Sequence, residues 1–137
     1  MKSDILNEEI RRIIDSVIID KTKLRNNTIL VMGGTGFIGS ILVMALLLMS
    51  RKYNLNLTVI CMVRSTDKSR SVFSDFLDSS NLKIRVVDLI SDKFEIEEFI
   101  DFIIHTAAIT DSREIVKIPI KTIDVAIVGI KNTRFSS

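Results

Sequence analysis

The alternation of apolar and polar positions divides this chain into short apolar strands and longer helical repeats. An amphipathic helix is predicted from Asp4 to about Lys21, since apolar residues recur there every three or four positions, at Leu6, Ile10, Ile13, Ile14 and Val17. Thr28–Met32 is an apolar run rich in branched residues, typical of a strand buried on both faces. Glycines follow it, and a second, largely apolar helix is predicted from Ile38 to about Lys52.

The rest of the chain continues this alternation of strands and helices. Leu57–Val63 is predicted as a second buried strand, and Leu82–Val87 as a third. Between them a short helix is predicted from Lys68 to about Asp78, with these side chains turned inward: Val72, Phe73, Phe76 and Leu77. A short acidic helix is predicted over Ser91–Glu98, and Phe99–His105 leads into and forms a fourth strand.

The glycines between the first strand and its helix carry the most specific chemical signal. In this glycine motif (Gly33–Gly39), Gly33 or Gly34 is expected to turn the chain. Gly36 is expected to let the backbone approach a pyrophosphate, and Gly39 to let the helix pack closely. The unpaired N–H groups and the dipole at the helix start favour an anion. A turn that merely joins two elements is the alternative, but the flanking strand and helix favour dinucleotide binding.

Together these patterns predict an α/β fold with a partial Rossmann-type, doubly wound parallel sheet. The sheet is expected to have about four strands in the order 3-2-1-4, with flanking helices and an extra N-terminal helix. Residues 1–27 are predicted to form this amphipathic helix and a linker. Residues 28–137 are predicted to form an incomplete NAD(P)-binding Rossmann domain.

Composition excludes several classes of function. The net charge of +2 and the absence of Trp give no indication of a nucleic-acid partner. The most hydrophobic run, Phe37–Met49, is shorter than the ~20 residues that cross a bilayer, so no membrane partner is predicted. The one cysteine, Cys61, excludes an internal disulfide and suits a reducing compartment, which predicts a cytoplasmic location. The one histidine, His105, excludes a His-based metal cluster, and no metal site is predicted.

The glycine motif resembles that of the short-chain dehydrogenase/reductase superfamily. Gly34–Gly39 (GTGFIG) is similar to its extended branch, the NAD(P)-dependent nucleotide-sugar epimerases and dehydratases. Met32 departs from the pattern, because the family usually has Thr before the first glycine. A second similarity is the His-x-Ala-Ala ending of the fourth strand, at His105–Ala108. The resemblance covers Thr28–Asn132, the first half of a family member, and implies NAD or NADP as cofactor.

The resemblance also implies which residues bind the cofactor. The pyrophosphate is expected on the glycine motif, at Gly33, Gly34, Thr35, Gly36, Phe37, Ile38 and Gly39. Asp88 and the backbone of Leu89 fit the adenine position after the third strand, although a turn-forming aspartate is the alternative. Ala107 and Ala108 leave space beside the nicotinamide. Arg64 can pair with a 2′-phosphate or stack on adenine, which slightly favours tolerance of NADP, and a solvated strand-end cation is the alternative.

The catalytic pair of the family is missing from this sequence. The family uses the Tyr of a Tyr-x-x-x-Lys motif as acid and base, because a phenol of pKa ~10 needs a nearby cation to react near neutral pH. The one tyrosine, Tyr53, is followed four positions later by Leu57, so no catalytic residue is predicted. In a further helix predicted from Pro119, Ala126 replaces the family's structural and catalytic Asn, and Ile130 replaces its Thr.

The sequence therefore predicts the NAD(P)-binding N-terminal part of a nucleotide-sugar epimerase- or dehydratase-like oxidoreductase, inactive by itself. Its expected partners are the dinucleotide and, in a full-length enzyme, a nucleotide-sugar. The alternative is a stand-alone, degenerate module that binds nucleotide or oligomerises, because an uncovered fourth strand would invite a homodimer. The fragment is favoured, since Arg134–Ser137 offers no element that would close the sheet.

Overall fold

A sheet of parallel strands lies at the centre of the computed structural model, which describes residues 2–16, 20–88, 94–106 and 133–135. Its helices are α1 (Lys2–Ile14), α2 (Phe37–Tyr53) and α3 (Thr66–Val72), with short 3₁₀ turns at Lys21–Leu24 and Ser74–Phe76. Its strands are β1 (Thr28–Met32), β2 (Thr58–Val63), β3 (Leu82–Val86), β4 (Phe94–Ile96), β5 (Phe102–His105) and β6 (Thr133–Phe135). The predicted helix from Pro119, with Ala126 and Ile130, lies outside the described residues.

Four strands form one all-parallel sheet in the order β3-β2-β1-β5. The predicted order 3-2-1-4 is confirmed, because β5 is the fourth strand of this sheet along the chain and β4 pairs elsewhere. Since the strands are parallel, the loops that follow β1, β2, β3 and β5 meet at one side of the sheet, called the carboxyl edge below. Ligands of such sheets bind at this edge.

The two central strands bury both of their faces. On one face, alternate residues of β1 and β2 pack with α1 and α2 in a core that includes Val31, Cys61 and Val43. On the other face, Leu30, Met32, Ile60 and Met62 pack with Ile96. Burial on both sides explains why the two strands are continuously apolar in sequence.

The N-terminal helix packs on α2 and shares its core, but it is shorter than predicted. Ile10 and Ile14 are fully buried in that core, whereas Ile13, which belongs to the same apolar repeat, is 53% exposed. The helix ends at Ile14 rather than near Lys21. Asp20 accepts a hydrogen bond from the Thr22 N–H and begins a separate 3₁₀ turn at Lys21–Leu24. Val17 lies outside the described residues.

The predicted acidic helix over Ser91–Glu98 is wrong in its described part. Residues 94–96 form β4, which pairs in parallel with β6 in a separate two-stranded sheet. Apolar and acidic residues alternate there with a period of two, so that Ile96 is buried while Glu95 and Glu97 are exposed. The side chain of Glu98 pairs with Lys83 and Arg85 on β3.

Two smaller expectations concern Leu77 and the C-terminal residues. Leu77 was predicted to face inward, but it is 47% exposed because α3 ends at Val72 and a 3₁₀ turn changes the helical phase. The β6 strand includes Arg134 and Phe135, and it pairs with β4 rather than with the four-stranded sheet. Among the helices of the described residues, none is both long and apolar enough to cross a membrane.

Candidate functional site

The turn between β1 and α2 is made by Gly33 and is held by β2. Gly33 has φ of 81°, in the left-handed region that side chains disfavour. Its N–H and that of Gly34 both donate to the carbonyl oxygen of Met62, at 3.1 and 3.2 Å. These two amides are therefore occupied by the protein's own backbone, and they fix the start of the glycine motif against the sheet.

The other three glycines of the motif differ in what surrounds them. A Cβ on Gly34 would overlap the Sγ of Cys61, and one on Gly39 would overlap the carbonyl oxygen of Gly33. Both glycines are thus required by the protein's own close packing. A Cβ on Gly36 would meet only the Gly33 oxygen, at 3.4 Å, and Gly36 is exposed with an ordinary φ of −68°. Among the described residues, nothing in the protein's own packing requires glycine at this position.

The first turn of α2 presents backbone N–H groups at the carboxyl edge. Gly36 is its N-cap residue, and no side chain of the described residues caps the helix. Helical bonding begins where the Ser40 N–H donates to the Gly36 oxygen, at 2.9 Å. The N–H groups of Phe37, Ile38 and Gly39 precede that bond and lie at the positive end of a 17-residue helix. The arrangement suits an anion such as a diphosphate.

Thr106 connects the end of β5 to the glycine motif. Its backbone N–H donates to the Met32 oxygen at 2.9 Å. Its hydroxyl lies 2.8 Å from the same oxygen and 3.2 Å from the oxygen of Gly33. Sequence reasoning gave this residue no role, because it occupies the variable position of the His-x-Ala-Ala ending. The sequence feature that could have indicated a role for Thr106 is its hydroxyl group, directly after a strand that pairs with β1.

The residues predicted to hold the adenosine half follow the ends of β2 and β3. Arg64 comes directly after β2, is exposed and has no ion pair among the described residues. Asp88 is exposed at the end of β3, where the preceding Val87 N–H donates to the Val63 oxygen at 2.8 Å. Both residues therefore share the carboxyl edge with the glycine motif. The predicted site residues Leu89, Ala107 and Ala108 lie outside the described part of the chain.

Burial and hydrogen bonding shift the pKa values of three side chains of types that can act in catalysis, Cys61, His105 and Tyr53. Burial raises the pKa of the Cys61 thiol to about 12. Burial lowers the pKa of His105, whose Nε2 has no hydrogen-bond partner among the described residues. The pKa of Tyr53 is raised, chiefly because its hydroxyl donates to Asp15 at 2.6 Å. Across the described residues, no group of three or more His, Cys, Asp or Glu side chains is placed to hold a metal ion.

Comparison with known proteins adds a family and a fold. The model of the NAD dependent epimerase/dehydratase family matches residues 29–132. Eighteen chains of solved structures match, including the X-ray structure of Pen from Bacillus thuringiensis, with a TM-score of 0.61 and 23% sequence identity. That match covers 80% of this chain and 33% of the other, so this chain spans about a third of the neighbour's length. No curated protein matches.

Proposed function

The chain belongs to the NAD dependent epimerase/dehydratase family, and on that premise we propose that its glycine motif binds the diphosphate of NAD or NADP. The observation that carries this proposal is the open space beside Gly36. No described atom of the protein lies closer than 3.4 Å to the position that a Cβ on Gly36 would take. Gly36 lies at the start of the uncapped α2, where an added side chain would occupy the space that a bound phosphate needs. The N–H groups of Phe37, Ile38 and Gly39 supply the hydrogen bonds.

The adenosine half of the cofactor extends, in this proposal, from the glycine motif along the carboxyl edge toward β3. Arg64 contacts the adenine or a 2′-phosphate, and Asp88 and the Leu89 backbone contact the adenine amino group. The nicotinamide half lies on the opposite side, beyond β5, next to Ala107 and Ala108. This direction is supported by the strand order, because β2 and β3 lie on one side of β1 and β5 on the other.

The activity we propose for the whole protein is that of a nucleotide-sugar epimerase or dehydratase, to which this chain contributes the cofactor-binding part. When bound, the nicotinamide would supply the reversible oxidation of a sugar carbon. The match covers 33% of the solved neighbour's chain, which supports the proposal that this chain contributes one part of a longer enzyme. The buried free thiol of Cys61 supports a reducing, cytoplasmic location.

Titration with NADH and NADPH, followed by cofactor fluorescence, tests the binding proposal. The unmodified chain is expected to bind, and Gly36→Val to weaken binding at least about tenfold, while both unfold at similar urea concentrations. Ser80→Val is the matched control, since Ser80 is also exposed but precedes β3 and therefore lies at the other edge of the sheet. The proposal fails if the unmodified chain binds neither dinucleotide, or if Gly36→Val binds as tightly as the Ser80→Val control.

A further inference from the structure

We infer that Thr106 is a positioning residue for the cofactor, whose hydroxyl fixes the backbone of the glycine motif and thereby the direction of the first N–H groups of α2. The inference rests on the proposed function, because it concerns the same diphosphate site. Thr106 itself contacts the protein's backbone, and its effect on a ligand would pass through Gly33 and Gly39.

The Gly33 carbonyl oxygen is where three segments meet. It accepts a hydrogen bond from the Gly36 N–H at 3.1 Å and lies 3.2 Å from the Thr106 hydroxyl. It also lies directly against Gly39, where a Cβ would overlap it. The same Cβ would stand 2.7 Å from the Thr106 hydroxyl oxygen. The end of β1, the first turn of α2 and the end of β5 are therefore packed around one hydroxyl group.

The contribution of the hydroxyl differs from that of the Thr106 backbone. The backbone N–H continues the pairing of β5 with β1 through the Met32 oxygen, and any residue at this position could make that bond. The hydroxyl has a single hydrogen, which it can donate to the oxygen of Met32 or of Gly33. A side chain without this donor leaves the Gly33 oxygen with the Gly36 N–H as its remaining partner among the described residues.

Thr106→Val tests the inference because it replaces the hydroxyl with a methyl group that cannot donate and sits too close to two carbonyl oxygens. We expect it to weaken NADH binding about tenfold, the effect of roughly one misplaced hydrogen bond. Thr106→Ser keeps the donor and should bind within about twofold of the unmodified chain. Thr58→Val is the control for a threonine-to-valine change, at the start of β2 and the opposite edge of the sheet.

The second readout is the ¹H–¹⁵N spectrum of the free proteins, which does not depend on any ligand. The amide signals of Phe37, Ile38 and Gly39 should move in Thr106→Val and stay in place in Thr106→Ser. If the unmodified chain binds neither NADH nor NADPH, the proposed function is wrong. The amide signals then decide only whether the Thr106 hydroxyl fixes the backbone of the glycine motif.

Three results would overturn the role of Thr106. One is unchanged α2 amide signals and unchanged affinity in Thr106→Val, and another is a Thr106→Ser variant as impaired as Thr106→Val. If Thr106→Val does not fold, Thr106→Ala is measured instead, because it removes the donor without adding a close methyl contact. Loss of folding in both variants would contradict the inference, because the hydroxyl would then be required for the fold itself.

Discussion

The glycines of the motif differ in which atoms occupy the space that a side chain would take. Gly34 makes room for the Cys61 thiol, and Gly39 makes room for the Gly33 carbonyl and the Thr106 hydroxyl. Gly36 makes room for no described atom closer than 3.4 Å. One sequence motif therefore combines glycines that the fold needs with a glycine that we assign to a ligand.

Alanine substitutions separate these two kinds of glycine. Gly39→Ala should destabilise the fold by about 3 kcal/mol and Gly34→Ala by less, because the Cβ of the first meets a backbone oxygen and that of the second meets a side-chain sulfur. Gly36→Ala should cost only about 1 kcal/mol or less of unfolding free energy, since its φ suits alanine and only the preference for glycine at the N-cap is lost. Urea unfolding of the three variants measures this, and equal losses would contradict the distinction.

Arg64 offers a test of cofactor preference at the same scale. Its side chain is exposed and has no ion pair among the described residues, so it is available to a 2′-phosphate. We expect Arg64→Gln to reduce the affinity ratio of NADPH to NADH by about three- to tenfold, as loss of a partly solvated charged hydrogen bond predicts. Arg70→Gln, an exposed arginine of α3, serves as the control. An unchanged ratio in Arg64→Gln would exclude the contact with a 2′-phosphate, and unchanged affinity for both cofactors would leave the solvated-cation interpretation.

At the scale of elements, α1 behaves as a part of the core. Ile14 is 1% exposed and packs in the same core as α2, whereas its neighbour Ile13 is 53% exposed. Ile14→Ala should therefore cost about 2–5 kcal/mol of unfolding free energy, by lost burial and a residual cavity. Ile13→Ala is the same substitution at an exposed position, and it should cost about 0.5 kcal/mol or less of unfolding free energy. Chemical unfolding compares the pair, and a loss in Ile14→Ala as small as that in Ile13→Ala would show that packing of α1 does not stabilise the fold.

The junction between α1 and α2 should also respond to pH. Lys52 donates to the Asp15 carboxylate at 2.6 and 2.7 Å, and this bond, with that from Tyr53, lowers the pKa of Asp15. A carboxyl group whose pKa is lower in the folded state stabilises the fold above its unfolded pKa of about 4. That contribution is lost as the pH falls through the lower, folded pKa.

Asp15→Asn should accordingly lower the thermal midpoint slightly near pH 7 and make no difference once the pH is below the lowered, folded pKa of Asp15. The effect is small because the pair is solvent-exposed and screened by salt. Asp78→Asn, at an exposed turn, is the control and should show little effect at either pH. A difference that persists in strong acid would indicate that Asp15 acts through something other than its charge.

At the scale of the whole molecule, the one tyrosine is far from the proposed cofactor site. Tyr53 ends α2, and a helix of 17 residues places its two ends ~25 Å apart. Its raised pKa is the opposite of what a general base needs near neutral pH. The purified chain is therefore expected to show no turnover when NAD⁺ or NADP⁺ and a panel of nucleotide-sugars are supplied. Product chromatography and nicotinamide absorbance measure this, and the same preparation should still bind NADH. Any detectable turnover contradicts the assignment.

The sequence alone determined the elements whose signals are local. The run from Thr28 to Gly39 specifies strand, turn and helix within a dozen residues, because burial, φ freedom and close packing each act there on neighbouring positions. The parallel order of the four strands followed as well, because the glycine motif indicates a Rossmann-type sheet, and that fold has a characteristic strand order. The alternating residues of β4 carried the correct signal too, but they were predicted as a helix over Ser91–Glu98.

The tertiary structure decided what depends on residues far apart in the chain. The Thr106 hydroxyl contacts the oxygen of Gly33, which is 73 residues earlier in the chain, and no local sequence pattern predicts such a contact. Which glycines serve packing also depends on distant residues, since the Cys61 thiol lies where a Cβ on Gly34 would be. The helix phase that buries Ile14 and exposes Ile13 is likewise set by where α1 meets α2. Sequence periodicity shows that a residue is apolar and regularly spaced, whereas packing against a distant element decides which of those residues is buried.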